Sequence, residues 1–435
     1  MNNRPLPLPF EAAHARIRAR FPMIDRDALG NPRVYLNTGA GSLTVDTAAD
    51  AAREAQGRLN PMPGTVLPGE RDTAVLHDRV RSLVADFLHA GSGREISFHN
   101  SATAAFFSLA FALRGRVKED ANLVVTDLDH MANISPWETV WGELHGREIR
   151  RARVREDGTL DIDHLLSLID ARTAVLAVTS ASNGLGTLVP LGRITPLVRK
   201  KAPGCLIAVD AVHHAPHGPL DVGEMGCDLL AFSGYKVFGP MLGVLWGKAG
   251  LLEELLPYRV ETAKNEVPTK FEPGMLNNAS LASLEAALEY ILWLADLATG
   301  PEAVLTDRAA RFRSAMTAVT EYEKPLTARV LDGLRRLDSR RFRCYGITDP
   351  GRVAERVPTF AFEIIGQDAA ETKKRLWEAR GLQIADGNHY SAAVFRHLGR
   401  PALCRASFAH YDSAGTADTF LNGLQEVLED SAKNL

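Results

Sequence analysis

The hydrophobic pattern of the chain changes after about residue 248. Between residues 34 and 248, short apolar runs alternate with segments of helical periodicity, an alternation typical of a mostly parallel sheet covered by helices. We predict strands at residues 95–98, 123–126, 174–179, 206–209, 229–232 and 243–246, and an apolar helix at 104–113. The first part of the chain is therefore predicted to be an α/β domain.

The remainder of the chain follows a different pattern. Residues 251–278 are irregular, and helical periodicity then runs to about residue 337, with apolar residues at helical spacing in 281–297. Beyond it we predict strands near 342–345, 359–364 and 405–409 and helices near 370–380 and 416–428. We therefore expect three parts: an N-terminal arm (1–33) that packs with the small domain, a large domain (34–300) and a smaller α+β domain (301–435).

Polar residues follow five of the predicted strands. Because ligands bind beyond the carboxyl ends of the strands in such a sheet, these residues are expected to meet at one edge. The five clusters are residues 100–103, Asp129 with His130, Ser182 with Asn183, Asp210, and residues 233–236. The pattern predicts a ligand site at that edge.

Composition and charge narrow the class of protein. The 435 residues are 46% hydrophobic and 24% charged, with a formal net charge of -3. These values favour an enzyme that acts on a small molecule over a protein that binds nucleic acid or a membrane surface. The N-terminus has no signal-peptide core, and the most apolar stretch, 104–113, is too short to span a bilayer. Four widely spaced cysteines without a CxxC pair indicate neither disulfides nor zinc. We therefore expect a cytoplasmic protein.

Lys236 and Asp210 are the candidate reactive residues. A lysine in a closed, partly apolar site can lose its proton and form an imine with an aldehyde cofactor, although a lone lysine after a strand is usually a solvated surface residue. Asp210 ends an apolar strand, where a carboxylate needs a partner. It either caps the following helix or holds the proton of a pyridine ring. The strand, aspartate, strand, lysine order favours the pyridine interpretation.

The other polar clusters admit two interpretations each. Ser101, Ala102 and Thr103 open the helix at 104–113, where backbone N–H groups bind phosphate, but serine and threonine also cap helices generally. Ser233 and Tyr235 would complete a phosphate cup from the opposite strand. His130 either stacks over a ring or is an ordinary loop histidine.

A metal site is a weaker alternative for the histidines at 213, 214 and 217. Two imidazoles four residues apart share a face only on a helix, and Pro216 and Gly218 disfavour a helix there. No acidic or cysteine ligand lies close in sequence. We therefore expect no metal.

Taken together, these residues resemble the aminotransferase class V family, and within it the cysteine-desulfurase-like branch. The most specific motifs are VDAVHHAPHG at 209–218, GCD at 226–228 and SGYKVFGP at 233–240. Weaker matches are NTGAG at 37–41, DHMAN at 129–133, SNGLG at 182–186 and CRAS at 404–407. The resemblance covers most of the chain and implies a pyridoxal 5'-phosphate enzyme of fold type I, with a mostly parallel seven-stranded sheet.

The resemblance also implies roles for individual residues. Lys236 would form the Schiff base with pyridoxal phosphate, Asp210 would bind the pyridine nitrogen and His130 would stack on the ring. Asn183 and His213 would lie near the phenolic oxygen, and the phosphate would be bound by Ser101, Ala102, Thr103, Ser233 and Tyr235. Arg405 would bind the substrate carboxylate together with Gly39, Ala40 and Gly41. It implies a homodimer with the site near the subunit interface. Met275 stands where a phosphate-binding threonine from the second subunit is common, which puts that contact in question.

The sequence departs from the desulfurases at the position of their mobile cysteine. The corresponding stretch, residues 385–391, contains no cysteine, and Cys404 is expected to be a packed strand residue. We therefore expect a lyase that eliminates a β-substituent, breaking a C–S bond without a protein thiol. Transamination, epimerisation, decarboxylation and aldol-type cleavage on the same residues are alternatives, and a non-catalytic cofactor-binding relative is a more distant one. His389, Tyr390 and residues 59–71 are candidates to contact the substrate side chain.

Overall fold

The computed structural model describes residues 9–59, 62–299 and 306–433. The first eight residues, Pro61 within the segment 59–71, and the expected domain boundary at 300–301 lie outside the described residues. The chain begins with α1 (Pro9–Ala19), β1 (Val34–Tyr35), α2 (Asp46–Arg58) and α3 (Pro68–Phe87). Helix α3 takes in the last four residues of the segment 59–71, because Pro68 is at its first turn and the Glu70 carboxylate accepts the backbone N–H of Leu67.

A seven-stranded sheet forms the centre of the large part of the chain, as expected. Its elements in chain order are β2 (Ile96–His99), α4 (Ala102–Ala112), β3 (Asn122–Thr126), α5 (Ser135–Trp137), β4 (Glu148–Ala152), α6 (Ile162–Leu168), β5 (Thr173–Thr179), α7 (Leu191–Lys201), β6 (Leu206–Asp210), α8 (Val222–Met225), β7 (Leu229–Ser233) and β8 (Gly243–Gly247). The strand order is β2-β8-β7-β6-β5-β3-β4, and β8 alone runs antiparallel to its neighbours. The predicted polar clusters therefore do follow the carboxyl ends of strands at one edge.

Burial explains why six of the seven strands could be predicted. Strands β2, β3, β6, β7 and β8 are apolar and almost entirely buried, because helices cover both faces of the sheet. Strand β4 was missed, since its sequence, Glu148 to Ala152, is mostly charged. It lies at the edge of the sheet, where one side of the strand meets solvent.

Six further helices and two smaller sheets complete the described part of the fold. They comprise α9 (Ala249–Glu254), α10 (Asn278–Thr299), α11 (Arg308–Leu334), β9 (Phe342–Tyr345), β10 (Thr359–Ile364), α12 (Ala369–Arg380), β11 (Leu382–Gln383), β12 (Ala385–Gly387), α13 (Ala392–His397), β13 (Leu403–Ser407) and α14 (Ala414–Lys433). Strands β12, β13, β10 and β9 form an antiparallel sheet in that order, and β1 pairs with β11 in parallel. The prediction of an irregular stretch from 251 was wrong at its start, because α9 runs to Glu254.

The N-terminal segment ties the two sheets together. Helix α1 packs against α10 and α11, and Arg18 donates to the carbonyl of Tyr411 at 3.0 Å. After β1, Asn37 bridges to Ser407 in β13, and the Thr38 hydroxyl donates to the carbonyl of Phe408 at 3.1 Å. The turn at residues 37–42 is thereby fixed between the large sheet and the antiparallel sheet.

Candidate active site

Lys236 lies at the centre of the site, in the turn after β7. The side chain is 3% exposed, and its Nζ donates to the carbonyl oxygens of Gly39 and Thr38. The Ser42 hydroxyl donates to the Lys236 carbonyl at 2.6 Å, which fixes the backbone of the lysine as well. Burial, reinforced by the nearby Arg405 charge, holds the pKa of Lys236 well below its ordinary value. The lysine can therefore be an uncharged nucleophile near neutral pH.

Asp210 stands at the end of the neighbouring strand β6. One of its oxygens accepts the backbone N–H of Val212 at 2.9 Å, and its charge acts on Lys236. Burial raises the pKa of Asp210 to about 6, with the Val212 hydrogen bond and Lys236 opposing the rise. The residues after Asp210 form turns and no helix, so the helix-cap interpretation does not apply.

The candidate phosphate turn lies where β2 gives way to α4. The Ser101 hydroxyl accepts the N–H of Ala104 at 3.1 Å and so caps α4, while Ala102 is buried and Thr103 is exposed. Gly243 in β8 lies against this turn, and a Cβ there would be 2.2 Å from the Ser101 carbonyl carbon. Only glycine allows the turn to come so close to the end of β7, where the buried Ser233 is paired with Gly243.

His130 is held by its own turn. Its Nδ1 accepts the backbone N–H of Ala132 at 3.0 Å, so the proton of the neutral ring is on Nε2. Burial, followed by the charges of Lys236 and Arg405, lowers the pKa of His130 to about 4. A neutral imidazole near Lys236 suits stacking on an aromatic ring better than a charged one would.

A loop between β12 and α13 closes over the His130 turn. The ring of Tyr390 lies 5.4 Å from that of His130, and the carbonyl of Tyr390 accepts the N–H of Met131 at 2.8 Å. His389 and Tyr390 both have positive φ, 50° and 55°, which is costly for residues other than glycine. The loop therefore keeps this conformation through its contacts with the large sheet.

Asn183 forms the second contact of this loop. Its amide donates to the carbonyl of His389 at 2.8 Å, and its amide oxygen accepts the Ser391 hydroxyl at 2.6 Å. The side chain predicted to lie at the phenolic oxygen of the cofactor thus also holds the loop that carries His389 and Tyr390.

Arg405 comes to the site from the antiparallel sheet. It is 2% exposed, its Nη1 donates to the Asn183 carbonyl at 2.8 Å, and its Nε has no hydrogen-bond partner. A Cβ on Gly39 would lie 2.9 Å from the guanidinium carbon, so Gly39 and Arg405 are adjacent. The neighbouring Ala40 is exposed. A buried arginine without a carboxylate suits an anionic substrate group.

His213 lies deeper, behind Asp210. Its Nε2 is 2.9 Å from the Thr359 hydroxyl in β10, and its Nδ1 is buried without a partner. Burial, then the positive charges of Lys236, His217 and Arg405, keeps the pKa of His213 well below its ordinary value. The ring of Tyr235 lies 5.5 Å from the Lys236 Nζ.

Several residues that complete the site were not predicted from the sequence. Thr38, Ser42, Thr359, Ser391 and Ser407 hold Lys236, His213, Asn183 and the Gly39 turn. They are small hydroxyl residues, which occur throughout any sequence. Only Thr38 and Ser407 carried a signal, because they lie within the motifs at 37–41 and 404–407.

The four cysteines are free thiols, of which three are buried and Cys344 is partly exposed. Burial raises the pKa of Cys205, Cys227 and Cys404 to about 12 and that of Cys344 to about 11. Cys404 donates to the carbonyl of Ala369 at 3.3 Å from within β13. A nucleophilic cysteine requires a lowered pKa, and the pKa of each of the four is raised.

The donor set fits pyridoxal phosphate. An amine, a carboxylate and a neutral imidazole surround one space, and two buried polar atoms, Arg405 Nε and His213 Nδ1, lack protein partners. Unpaired buried atoms of this kind are expected where a polar ligand binds. Within the described ranges, no three side chains of His, Cys, Asp or Glu are arranged to hold a metal ion.

Comparison with known proteins agrees with this geometry. The model of the family "Aminotransferase class-V" matches residues 34–299 and 301–420. The cysteine desulfurase of Pectobacterium atrosepticum is 31% identical over 430 residues, covering 95% of this chain and 97% of the relative, and that of Klebsiella pneumoniae is 30% identical over 428 residues, covering 95% and 97%. Among crystal structures, a cysteine desulfurase from Escherichia coli superposes with a TM-score of 0.79 at 25% identity, covering 96% of this chain and 98% of the other.

A second solved structure supports the fold alone. The apo cysteine desulfurase of Thermococcus onnurineus superposes with a TM-score of 0.82 at 22% identity, covering 96% of this chain and 98% of that one. Both structures span the large sheet and the antiparallel sheet together.

Proposed function

Because this chain belongs to the aminotransferase class V family of pyridoxal-phosphate-dependent enzymes, we propose that it is a lyase that cleaves a C–S bond of an amino acid without a protein thiol. The observation that carries the proposal is a buried lysine that tends to be uncharged, together with four thiols whose pKa values are all raised. Elimination from a β-carbon needs a base at the α-carbon and no sulfur nucleophile.

Each residue of the site has a part in this proposal. Lys236 would hold the cofactor, and its Nζ would take the α-proton of the substrate. Asp210 holds the proton of the pyridine nitrogen, and His130 covers one face of the ring. When bound, pyridoxal phosphate accepts the electron pair left at the α-carbon. The C–S bond then breaks with its electron pair on sulfur, which takes up a proton.

The remaining residues orient the cofactor and the substrate. We assign Ser101, Ala102, Thr103, Ser233 and Tyr235 to the phosphate and Asn183 and His213 to the phenolic oxygen. Arg405, with the Gly39 and Ala40 turn, binds the substrate carboxylate. His389 and Tyr390, on the loop held by Asn183, exclude water and contact the substrate side chain. Transamination, epimerisation, decarboxylation and aldol-type cleavage would use the same residues.

Product analysis tests the proposal. The enzyme loaded with pyridoxal phosphate is incubated with cysteine, its sulfinate, S-substituted cysteines, aspartate and alanine, and the products are identified by mass. We expect pyruvate, ammonia and a sulfur fragment in equal amounts from one of the sulfur-containing substrates. A keto acid that retains its side chain would instead mean transamination, and inversion with deuterium uptake would mean epimerisation.

Substitution of Cys404 tests the thiol-free mechanism. We expect Cys404→Ala to retain kcat within about twofold, since the Cys404 thiol is buried against Ala369 and protonated. Cys344 is the one partly exposed cysteine, so Cys344→Ala is tested in parallel and should also retain kcat. A hundredfold loss of kcat in either folded variant would restore a persulfide mechanism.

We further propose a homodimer in a reducing cytoplasm. The segment from Phe271 to Met275 is anchored by Glu272, which is 9% exposed, and ends in Met275, which is 61% exposed. Met241 and Val260 are further exposed apolar residues, and such residues favour a partner surface. Within the described residues, no helix is long and apolar enough to cross a membrane. Light scattering of the purified protein should give twice the 47.4 kDa chain mass.

A further inference from the structure

A cluster of buried histidines and one glutamate lies behind the site, on the side away from the proposed substrate. The turns after β6 supply His213, His214 and His217, and α11 supplies Glu323. All four side chains except His214 are at most 3% exposed. None of the roles assigned above uses His217 or Glu323.

His217 and Glu323 form a hydrogen-bonded pair. The His217 Nδ1 lies 3.0 Å from Oε2 and 3.2 Å from Oε1 of Glu323. Burial lowers the pKa of His217 to about 3 and raises that of Glu323 well above its ordinary value, which favours the neutral form of both groups. The protonated carboxyl then donates to Nδ1, and the ring proton is on Nε2, which has no partner.

His213 joins this pair to the site. Its ring lies 5.6 Å from that of His217 in an edge-on arrangement, and its Nδ1 is the second unpartnered nitrogen. Its Nε2 contacts the Thr359 hydroxyl at 2.9 Å, and Thr359 contacts the Ser407 hydroxyl at 3.2 Å. A Cβ on Gly39 would be 2.4 Å from the Ser407 Oγ, so Ser407 reaches the proposed carboxylate site.

Glu323 also borders a cavity on the opposite side. The cavity has a volume of about 200 Å³ and is lined by His214, His217, Thr320, Glu323, Lys324 and Arg356 among others. Lys324 is one-third exposed at its side chain, so the cavity reaches the protein surface.

We propose that Ser407, Thr359, His213, His217 and Glu323 form a proton relay between the Lys236 site and the cavity at Lys324. Each member takes one proton and gives one, so no charge accumulates and no electron moves. The transfer between His213 and His217 has no hydrogen bond between the rings, whose centroids are 5.6 Å apart, and would use His213 Nδ1 and His217 Nε2, which lack protein partners, directly or through a water molecule. The relay rests on the proposed α-proton chemistry, because it returns solvent protons to Lys236.

Deuterium uptake tests the relay. The enzyme loaded with pyridoxal phosphate is incubated with alanine in D2O, and deuterium at the α-carbon is followed by NMR. We expect Glu323→Gln to slow uptake at least tenfold, while the alanine concentration that gives half of the spectral change stays within twofold. Thr320→Val is the matched control, because Thr320 lines the same cavity and donates to the His217 carbonyl without being titratable. It should keep the wild-type rate.

The possible results separate the relay from the proposed function. A wild-type protein that binds alanine without any uptake would refute the α-proton chemistry itself. Wild-type uptake that persists within twofold in Glu323→Gln would refute only the relay. Thermal denaturation confirms that each variant is folded. If Glu323→Gln does not fold, Glu323→Asp and His217→Asn give the same comparison, and unchanged uptake in a folded variant of either would overturn the relay.

Discussion

Burial affects the two basic side chains of the site, Lys236 and Arg405, differently. Both are buried basic side chains, neither has a carboxylate among the described residues within hydrogen-bonding distance, and each acts on the pKa of its neighbours. Burial lowers the pKa of Arg405 to about 10, which leaves it charged at neutral pH, whereas the lysine falls further and can be neutral. Arg405 is therefore suited to bind an anion, and Lys236 is suited to react.

Substitution of Lys236 tests the reactive role. Lys236→Ala should abolish turnover and remove the absorbance of the lysine-bound cofactor, because no other described lysine donates to the Gly39 turn. Absorbance spectra and steady-state kinetics provide the measurement. The matched control, Lys270→Ala, removes another buried lysine, one that donates to the carbonyls of Glu253 and Leu255. Normal turnover by Lys236→Ala would refute the assignment.

Substitution of Arg405 tests the binding role. Arg405→Ala should raise the KM for the amino acid roughly ten- to a hundredfold while the cofactor stays bound, since a charge-assisted hydrogen bond contributes about 1.5–3 kcal/mol. Arg405→Lys keeps the charge and loses the bidentate fork, so an intermediate KM is expected. An Arg405→Ala variant with wild-type KM would show that the carboxylate binds elsewhere.

The elements of the fold show why the sequence predicted the active-site edge better than its surroundings. The motifs at 209–218 and 233–240 sit at the ends of buried strands, whose apolar runs are clear in the sequence. The loop at 388–391 was predicted to contact substrate, but its positive φ values and its anchoring by Asn183 depend on tertiary contacts. Strands β11 and β12 were missed because two or three residues are too short for a periodic signal.

The buried ion pair between Arg81 and Glu272, beneath the phosphate turn, is expected to stabilise the fold. The Glu272 carboxylate accepts hydrogen bonds from both Nη atoms of Arg81, at 2.7 and 2.8 Å, and from the backbone N–H of Phe98 in β2. Glu272→Ala would leave Arg81 buried and unpaired, so we expect a loss of about 3–5 kcal/mol in the free energy of unfolding. Urea denaturation measures it.

The more exposed ion pair between Arg79 and Glu285 is the control for Glu272→Ala. Arg79 is 56% exposed at its side chain, and Arg79→Ala should cost at most about 1 kcal/mol. If Glu272→Ala and Arg79→Ala both lower the free energy of unfolding by the same small amount, the Arg81 pair does not support the phosphate turn.

The whole molecule carries an unusual number of neutral buried histidines, which sets its response to pH. Burial lowers the pKa to about 4 or about 3 for six of them, and well below the ordinary value for His213. The six are His99, His130, His214, His217, His389 and His410. Unfolding lets each take up a proton below its ordinary pKa of 6.5, so their contribution to stability is lost as the pH falls.

Four buried carboxyl groups have the opposite dependence. Burial raises the pKa of Asp210 to about 6 and that of Asp412 to about 8, and holds those of Asp129 and Glu323 well above their ordinary values. Their contribution is present at low pH and is lost as the pH rises. We expect the cofactor-free protein to be most stable near pH 6.5 and less stable on both sides. Thermal denaturation midpoints from pH 5 to pH 8 would contradict this if they rose steadily with pH.

The turn at residues 37–42 determines when the protein can first become active during its synthesis. This turn binds Lys236 through Gly39 and Ser42, and it is itself fixed by Ser407 and Phe408. A nascent chain that has emerged only as far as β8 has its lysine and aspartate but neither Arg405 nor the strand that fixes the turn. Capture of pyridoxal phosphate on the ribosome is therefore expected to await β13, and separately expressed halves of the chain should regain activity only when they are mixed.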